Sequence, residues 1–149
     1  MKKLILIPGL FCLFMLNVAS MCSSDDDSSD DNSPPVATII DNTTTGTWRV
    51  ILFNENGIIK TSNYSDYNFS INSDESIVAV NGSTTKTGTW SIYTDSGYSK
   101  FDILFPDING PFEEISEDWR VLSSTTTKLE LKHISGGDGS IDLLTFEKN

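Results

Sequence analysis

Beyond residue 22 the chain has no cysteine, and His133 is its only histidine. A disulfide framework, a thiol nucleophile and a cysteine metal site are therefore excluded from that part of the chain. One imidazole cannot build a multi-histidine metal centre or a histidine-rich catalytic group. Positive charge is scarce as well. With Lys2 and Lys3 set aside, eight Lys and Arg face 21 Asp and Glu. Phosphate binding needs a basic face, so nucleic acid is excluded as a partner. Six of the acids precede residue 42, so residues 42–149 hold eight cations against fifteen acids, a balance of −7 that first of all favours solubility. Gly136-Gly137-Asp138-Gly139 precedes no helical pattern and is no phosphate cradle. No catalytic motif is found, no residue is given a catalytic role, and no cofactor or metal is expected.

What is present starts with a basic and then apolar leader. Met1-Lys2-Lys3 is followed by an apolar run, Leu4 to Leu16, broken only by Pro8 and Gly9. A membrane span needs about 20 apolar residues, so these proportions suit a secretory signal over residues 1–21. Val18-Ala19-Ser20-Met21-Cys22 then resembles the lipobox of bacterial lipoproteins, in which small residues precede a cysteine that is lipidated before cleavage. Met21 departs from the usual Gly, Ala or Ser, and an ordinary signal-peptidase cut that leaves Cys22 an incidental thiol is the competing reading. If lipidated in the bacterial manner, Cys22 carries enough acyl chain for stable anchoring in a membrane.

Residues 23–35 contain no large apolar side chain and a block of like charge, so residues 22–41 are read as the lipid-bearing cysteine and a disordered acidic tether. Ser24, Asp25, Asp26 and Asp27 resemble the acidic export signal with which Bacteroidota route lipoproteins to the outer face of the outer membrane. The expected location is the outer membrane, surface-exposed, with a periplasm-facing anchor as second choice.

From residue 42 to 149 the pattern becomes one of short alternating segments punctuated by Gly, Asn, Asp and Ser, and no helix is expected. Eight strands are predicted, over 46–53, 66–71, 76–81, 86–93, 99–105, 119–123, 128–133 and 140–148. Trp48, Val50 and Leu52 share one face of the first, and Tyr67, Phe69 and Ile71 one face of the second. Trp90 and Ile92 are inward on the fourth, Phe101, Ile103 and Phe105 on the fifth, and Leu144 and Phe146 on the last. Turns are read at Asn54-Glu55-Asn56-Gly57, Asn81-Gly82 and Asp95-Ser96-Gly97. Closing such a meander removes its edges, so the expected fold is all-β, an eight-stranded antiparallel up-and-down barrel after a disordered tether.

Gly46-Thr47-Trp48, Gly88-Thr89-Trp90 and the closing Leu143-Leu144-Thr145-Phe146-Glu147-Lys148 together resemble the lipocalin-like domains of Bacteroidota lipoproteins, over residues 43–149. In true lipocalins an Arg near the last strand packs over the first-strand Trp. This chain has Lys148 there, so the resemblance is to the wider lipocalin-like group and implies no particular ligand.

An eight-stranded barrel either holds one small ligand or is filled by its own side chains. If there is a pocket, Trp48, Tyr67, Phe69, Trp90, Phe101 and Phe105 are its candidate lining, with Tyr67 as a polar handle. Two functions are open: binding of a small apolar or amphipathic ligand in the barrel mouth, or, with a filled barrel, a non-enzymatic module that meets an envelope protein or glycan. Glu113, Glu114, Glu117 and Asp118, with Asp107 nearby, offer oxygen ligands but match no calcium loop, and are read as a solvated acidic loop. His133 is read as a half-buried strand histidine with a local hydrogen bond.

Overall fold

The computed structural model describes residues 33–149. The signal expected over 1–21, the lipid site at Cys22 and the export residues Ser24, Asp25, Asp26 and Asp27 lie outside the described residues. Among the described residues nine strands form: β1 (Trp48–Glu55), β2 (Ile58–Ile59), β3 (Asn68–Ile71), β4 (Ser76–Asn81), β5 (Thr84–Asp95), β6 (Tyr98–Leu104), β7 (Asp118–Ser124), β8 (Lys128–Ile134) and β9 (Ile141–Lys148). Each pairs antiparallel with its neighbour in the order β1-β3-β4-β5-β6-β7-β8-β9, and β9 pairs back onto β1, closing an eight-stranded barrel. The two-residue β2 stands outside it, a stub hydrogen-bonded to the end of β1. The fold class read from the sequence is the one the chain adopts.

Two hairpins show why short polar pairs set the register. Asn56-Gly57 and Ser96-Gly97 both hold positive φ, 47° and 86° in one case and 52° and 82° in the other. These are the turn conformations whose twist matches that of paired strands. In β1 the alternation breaks. The register with β9 shifts between Val50 and Leu52, leaving Ile51 as an extra, outward residue. Leu52, expected inward, is only half-buried, and Phe53 takes its place in the core.

Two helices that the sequence reading did not anticipate close the barrel ends. The α1 helix (Val36–Thr43) occupies residues of which 36–41 were assigned to the tether. It begins directly after Pro34-Pro35 and presents Ile39 and Thr43, four residues apart, to the core. It covers the end where β1 begins and β7 finishes: Trp48 Nε1 donates to the Thr43 carbonyl at 3.0 Å, and Asn42 Nδ2 to the Ser124 carbonyl at 3.2 Å. The α2 helix (Pro111–Glu114) lies in the loop between β6 and β7, with Pro at its start and Glu113 and Glu114 in its first turn, as a helix N-terminus favours. Its Phe112 is buried in the opposite end.

Glycine has one indispensable place in the wall. A Cβ on Gly88 would stand 2.4 Å from the Leu104 carbonyl oxygen and 2.9 Å from Phe105 Cδ1. Only a residue without a side chain lets β5 and β6 approach so closely there.

Candidate functional site

The six aromatic residues proposed as pocket lining are brought together, chiefly against one another. Trp48, Phe69, Phe101 and Phe105 are fully or almost fully buried, Trp90 is nearly so, and Tyr67 is partly buried against them. Phe112, which sequence reasoning passed over, is the ring they gather around at the α2 end. Its centroid is 4.8 Å from Phe105, 5.0 Å from Tyr67, 6.0 Å from Tyr64 and 6.2 Å from Phe69. Phe69 in turn meets Phe146 edge-on at 5.3 Å. Edge-to-face contacts of this kind are the favoured way for rings to fill a core. The signal for Phe112 was a Gly-Pro pair followed by one apolar residue and two acids, the start of a short helix.

Three of the clefts on the surface of the described residues are bordered by none of Trp48, Tyr67, Phe69, Phe101 and Phe105. Trp90 borders one, about 220 Å³, with Ile40 of α1, Ser73, Glu75, Ser91 and Ile92. Its indole stacks on Phe101 at 5.1 Å, and its Nε1 donates to the Asn72 carbonyl at 2.8 Å, so one edge is fixed in the core while the other faces the cleft. A wider apolar groove lies on the outer wall over Gly88, Leu104 and Pro106.

The loop acids are not simply solvated. Lysines of the barrel and its edge neutralise three of them: Lys60 holds Glu114 at 2.8 Å and also pairs with Glu55, Lys86 pairs with Asp107, and Lys100 holds Asp118 at 3.0 Å. Tyr64 donates its hydroxyl hydrogen to the Pro111 carbonyl, fastening α2 to the segment after β2. Burial pushes that phenol well above its ordinary range, and the carboxylates of Glu114 and Glu55 add to the effect. The same two carboxylates, Glu114 first, hold the Lys60 ammonium above its usual value.

His133 is 14 % exposed, and its Nδ1 lies 3.3 Å from the Asp118 carbonyl oxygen, within hydrogen-bond reach in the tautomer protonated there. Glu117 and Asp118 stand beside the same ring. Asp118 Oδ1 is 3.4 Å from Nδ1, while Glu117 Oε2 is 3.9 Å from Nε2. The two carboxylates thus face different edges of the imidazole, and Asp118 is already engaged by Lys100, an arrangement that suits an ion-pair cluster better than a metal site.

One feature of the outer wall was missed. Lys100, Arg120 and Lys132 are direct register partners on β6, β7 and β8, forming a row of three cations across adjacent strands. Arg120 lies over the Tyr98 ring, its guanidinium carbon 3.4 Å from the centroid. All three lie in segments the sequence reading assigns to strands, over 99–105, 119–123 and 128–133. Their alignment depends on the register, which the residues alone do not disclose.

The chain matches no protein-family model and no curated protein sequence. Among solved structures it resembles a DUF4847 family protein from Bacteroides vulgatus, with a TM-score of 0.52 and 16% identity over 74% of this chain and 97% of the other. At that identity the likeness is one of fold: the closed barrel is an architecture already seen in a bacterial protein of similar extent.

Proposed function

We propose that this chain is an exported bacterial lipoprotein, held at the outer membrane by a lipid on Cys22. In this reading its lipocalin-like barrel works through its outer wall and loops, as a non-enzymatic module that meets an envelope protein or glycan. The observation that carries it is the double closure of the barrel. Phe112 fills one end among four other rings and Ile39 seals the other, so the interior volume a lipocalin would give to a ligand is taken by the chain's own side chains. An acidic surface and few cations direct the partner away from nucleic acid. The Bacteroides structural neighbour is consistent with the bacterial assignment.

A second reading keeps a small apolar ligand, placed at the Trp90 cleft instead of inside the barrel. An indole edge beside Ile40 and Ile92, with Glu75 at the rim, is a surface an amphipathic molecule could use. Titration of an apolar dye separates the two, since Trp90→Ala abolishes saturable binding in the second reading and changes nothing in the first. For the anchor, Cys22→Ala should release the protein from the membrane fraction or leave it uncleaved. A cleaved product still retained on membranes would refute lipidation at this residue. Replacing Ser24, Asp25, Asp26 and Asp27 with Ala should reduce protease access on whole cells.

A further inference from the structure

Closing a barrel removes strand edges only as far as each neighbour reaches. The β5 strand is 12 residues long, and its ladder with β4 ends where Ser76 pairs with Thr89. One further bond joins the Trp90 N–H to the Glu75 carbonyl at 2.9 Å. At Glu75 φ is positive, 67°, and the turn over 72–75 takes the chain away from β5. Past Trp90, β5 pairs with β6 alone, from Ser91 with Asp102 to Asp95 with Tyr98.

Backbone groups alternate in direction along a strand. Because the Trp90 N–H points towards β4, its C=O and the N–H and C=O groups of Ile92 and Thr94 point the same way, and no hydrogen bond among the described residues meets these groups there. They lie along about 13 Å of strand. Open edges are ordinarily guarded by Lys, Pro or a bulge. Trp90-Ser91-Ile92-Tyr93-Thr94 has none of these, its register with β6 is unbroken, and every residue but Ser91 is β-branched or aromatic.

The Trp90 cleft follows this edge. It is bordered both by exposed Ser91 and by Ile92, which packs against the core, so it touches the two faces of the strand at once. Ile40, Trp90 and Ile92 form its apolar wall, Glu75 is its one charged residue, and no cation borders it. Glu75 is exposed and forms no ion pair among the described residues. Asp74 and Asp41, sequence neighbours of Glu75 and Ile40, add to the negative charge.

We propose that residues 90–94 of β5 are a strand-addition site, which takes an extended basic and apolar segment of an envelope protein as a further strand. This rests on the reading of the barrel as a module that meets such a protein, and names the surface it uses. The row of free N–H and C=O groups specifies an extended backbone. The cleft receives one apolar side chain of the segment, and Glu75 a Lys or Arg beside it. A second copy of this chain is a poor occupant, since two domains of net charge −7 would meet.

Amide hydrogen exchange of the full chain, followed by NMR with a seven-residue peptide alternating Lys and Val, tests it. Saturating peptide should slow exchange at Ile92 and Thr94 several-fold and leave exposed Ile108 unchanged. The same peptide N-methylated at each residue cannot donate to the edge and should not bind. Thr94→Pro removes an N–H that the fold does not use, so it should keep the urea midpoint and lose the protection at Ile92. Glu75→Lys should weaken binding several-fold. Absence of protection, equal binding of the N-methylated peptide, full binding to a folded Thr94→Pro or unchanged affinity in Glu75→Lys would each overturn the proposal. So would protection of these amides by an N-acetylglucosamine oligosaccharide and not by the peptide. On whole cells, a photoreactive residue at Tyr93 that stays unlinked while one at exposed Leu122 captures an envelope protein defeats the edge and keeps the module, whereas capture at neither defeats both.

Discussion

The ammonium of Lys148 on β9 lies 4.7 Å from the centre of the Trp48 ring on β1, its direct partner in the register that closes the barrel. The same nitrogen donates to Thr45 Oγ1 at 2.9 Å and to the Asn42 carbonyl at 3.3 Å. One side chain thus joins the last strand, the first strand and the end of α1.

Lys148→Ala should therefore cost about 1–2 kcal/mol, from the lost cation–π contact and hydrogen bonds. Lys148→Arg should retain most of that stability. Urea midpoints of the two variants check the order, and equal loss in both would contradict it, because Arg keeps the charge and most of the aliphatic stem that Ala removes.

Phe112→Ala removes the ring on which Phe105, Tyr67, Tyr64 and Phe69 converge. Large-to-small changes at such a site cost about 3–5 kcal/mol. Thermal denaturation should show a marked fall in midpoint, larger than that of a change at exposed Ile108.

Gly88→Ala should destabilise by about 1–3 kcal/mol, because the new methyl meets backbone that cannot rotate away. The same change at Gly136, where a Cβ meets nothing, gives the contrast. Parallel chemical denaturation of both variants measures it.

Alkaline stability depends on Tyr64. Its folded pKa is raised by burial and by Glu114 and Glu55, so above the ordinary value of about 10 the unfolded chain has lost a proton that the folded chain keeps. Fewer protons on the unfolded state make stability fall as pH rises through that range. Lys60, also raised, acts in the same direction. A stability profile from pH 8 upward should decline above about pH 10, and Tyr64→Phe should flatten part of that decline.

The barrel was legible in the sequence because inward residues such as Trp48, Phe69, Trp90, Phe101 and Phe146 alternate cleanly and turn residues separate them. Leu52 was misplaced because a bulge at Ile51 shifts the phase, and a bulge leaves the composition of a strand unchanged. The α1 helix hid behind the acidic stretch and two prolines, although Val36, Ile39, Ile40 and Thr43 carry helical spacing. Phe112 was passed over because one apolar residue in a polar loop has no period to reveal it. Whether a barrel is hollow depends on such single residues, so the six candidate lining positions could be named without settling what faces them.

The chain's own side chains occupy the barrel interior. Fluorescence titration of wild type, Phe112→Ala and Trp90→Ala with a polarity-sensitive apolar dye tests it most directly. Plugging by Phe112 predicts no saturable binding to wild type and a new dye site in Phe112→Ala. Saturable, stoichiometric binding to wild type that survives Trp90→Ala would contradict it, placing a ligand where Phe112 and its neighbours are packed.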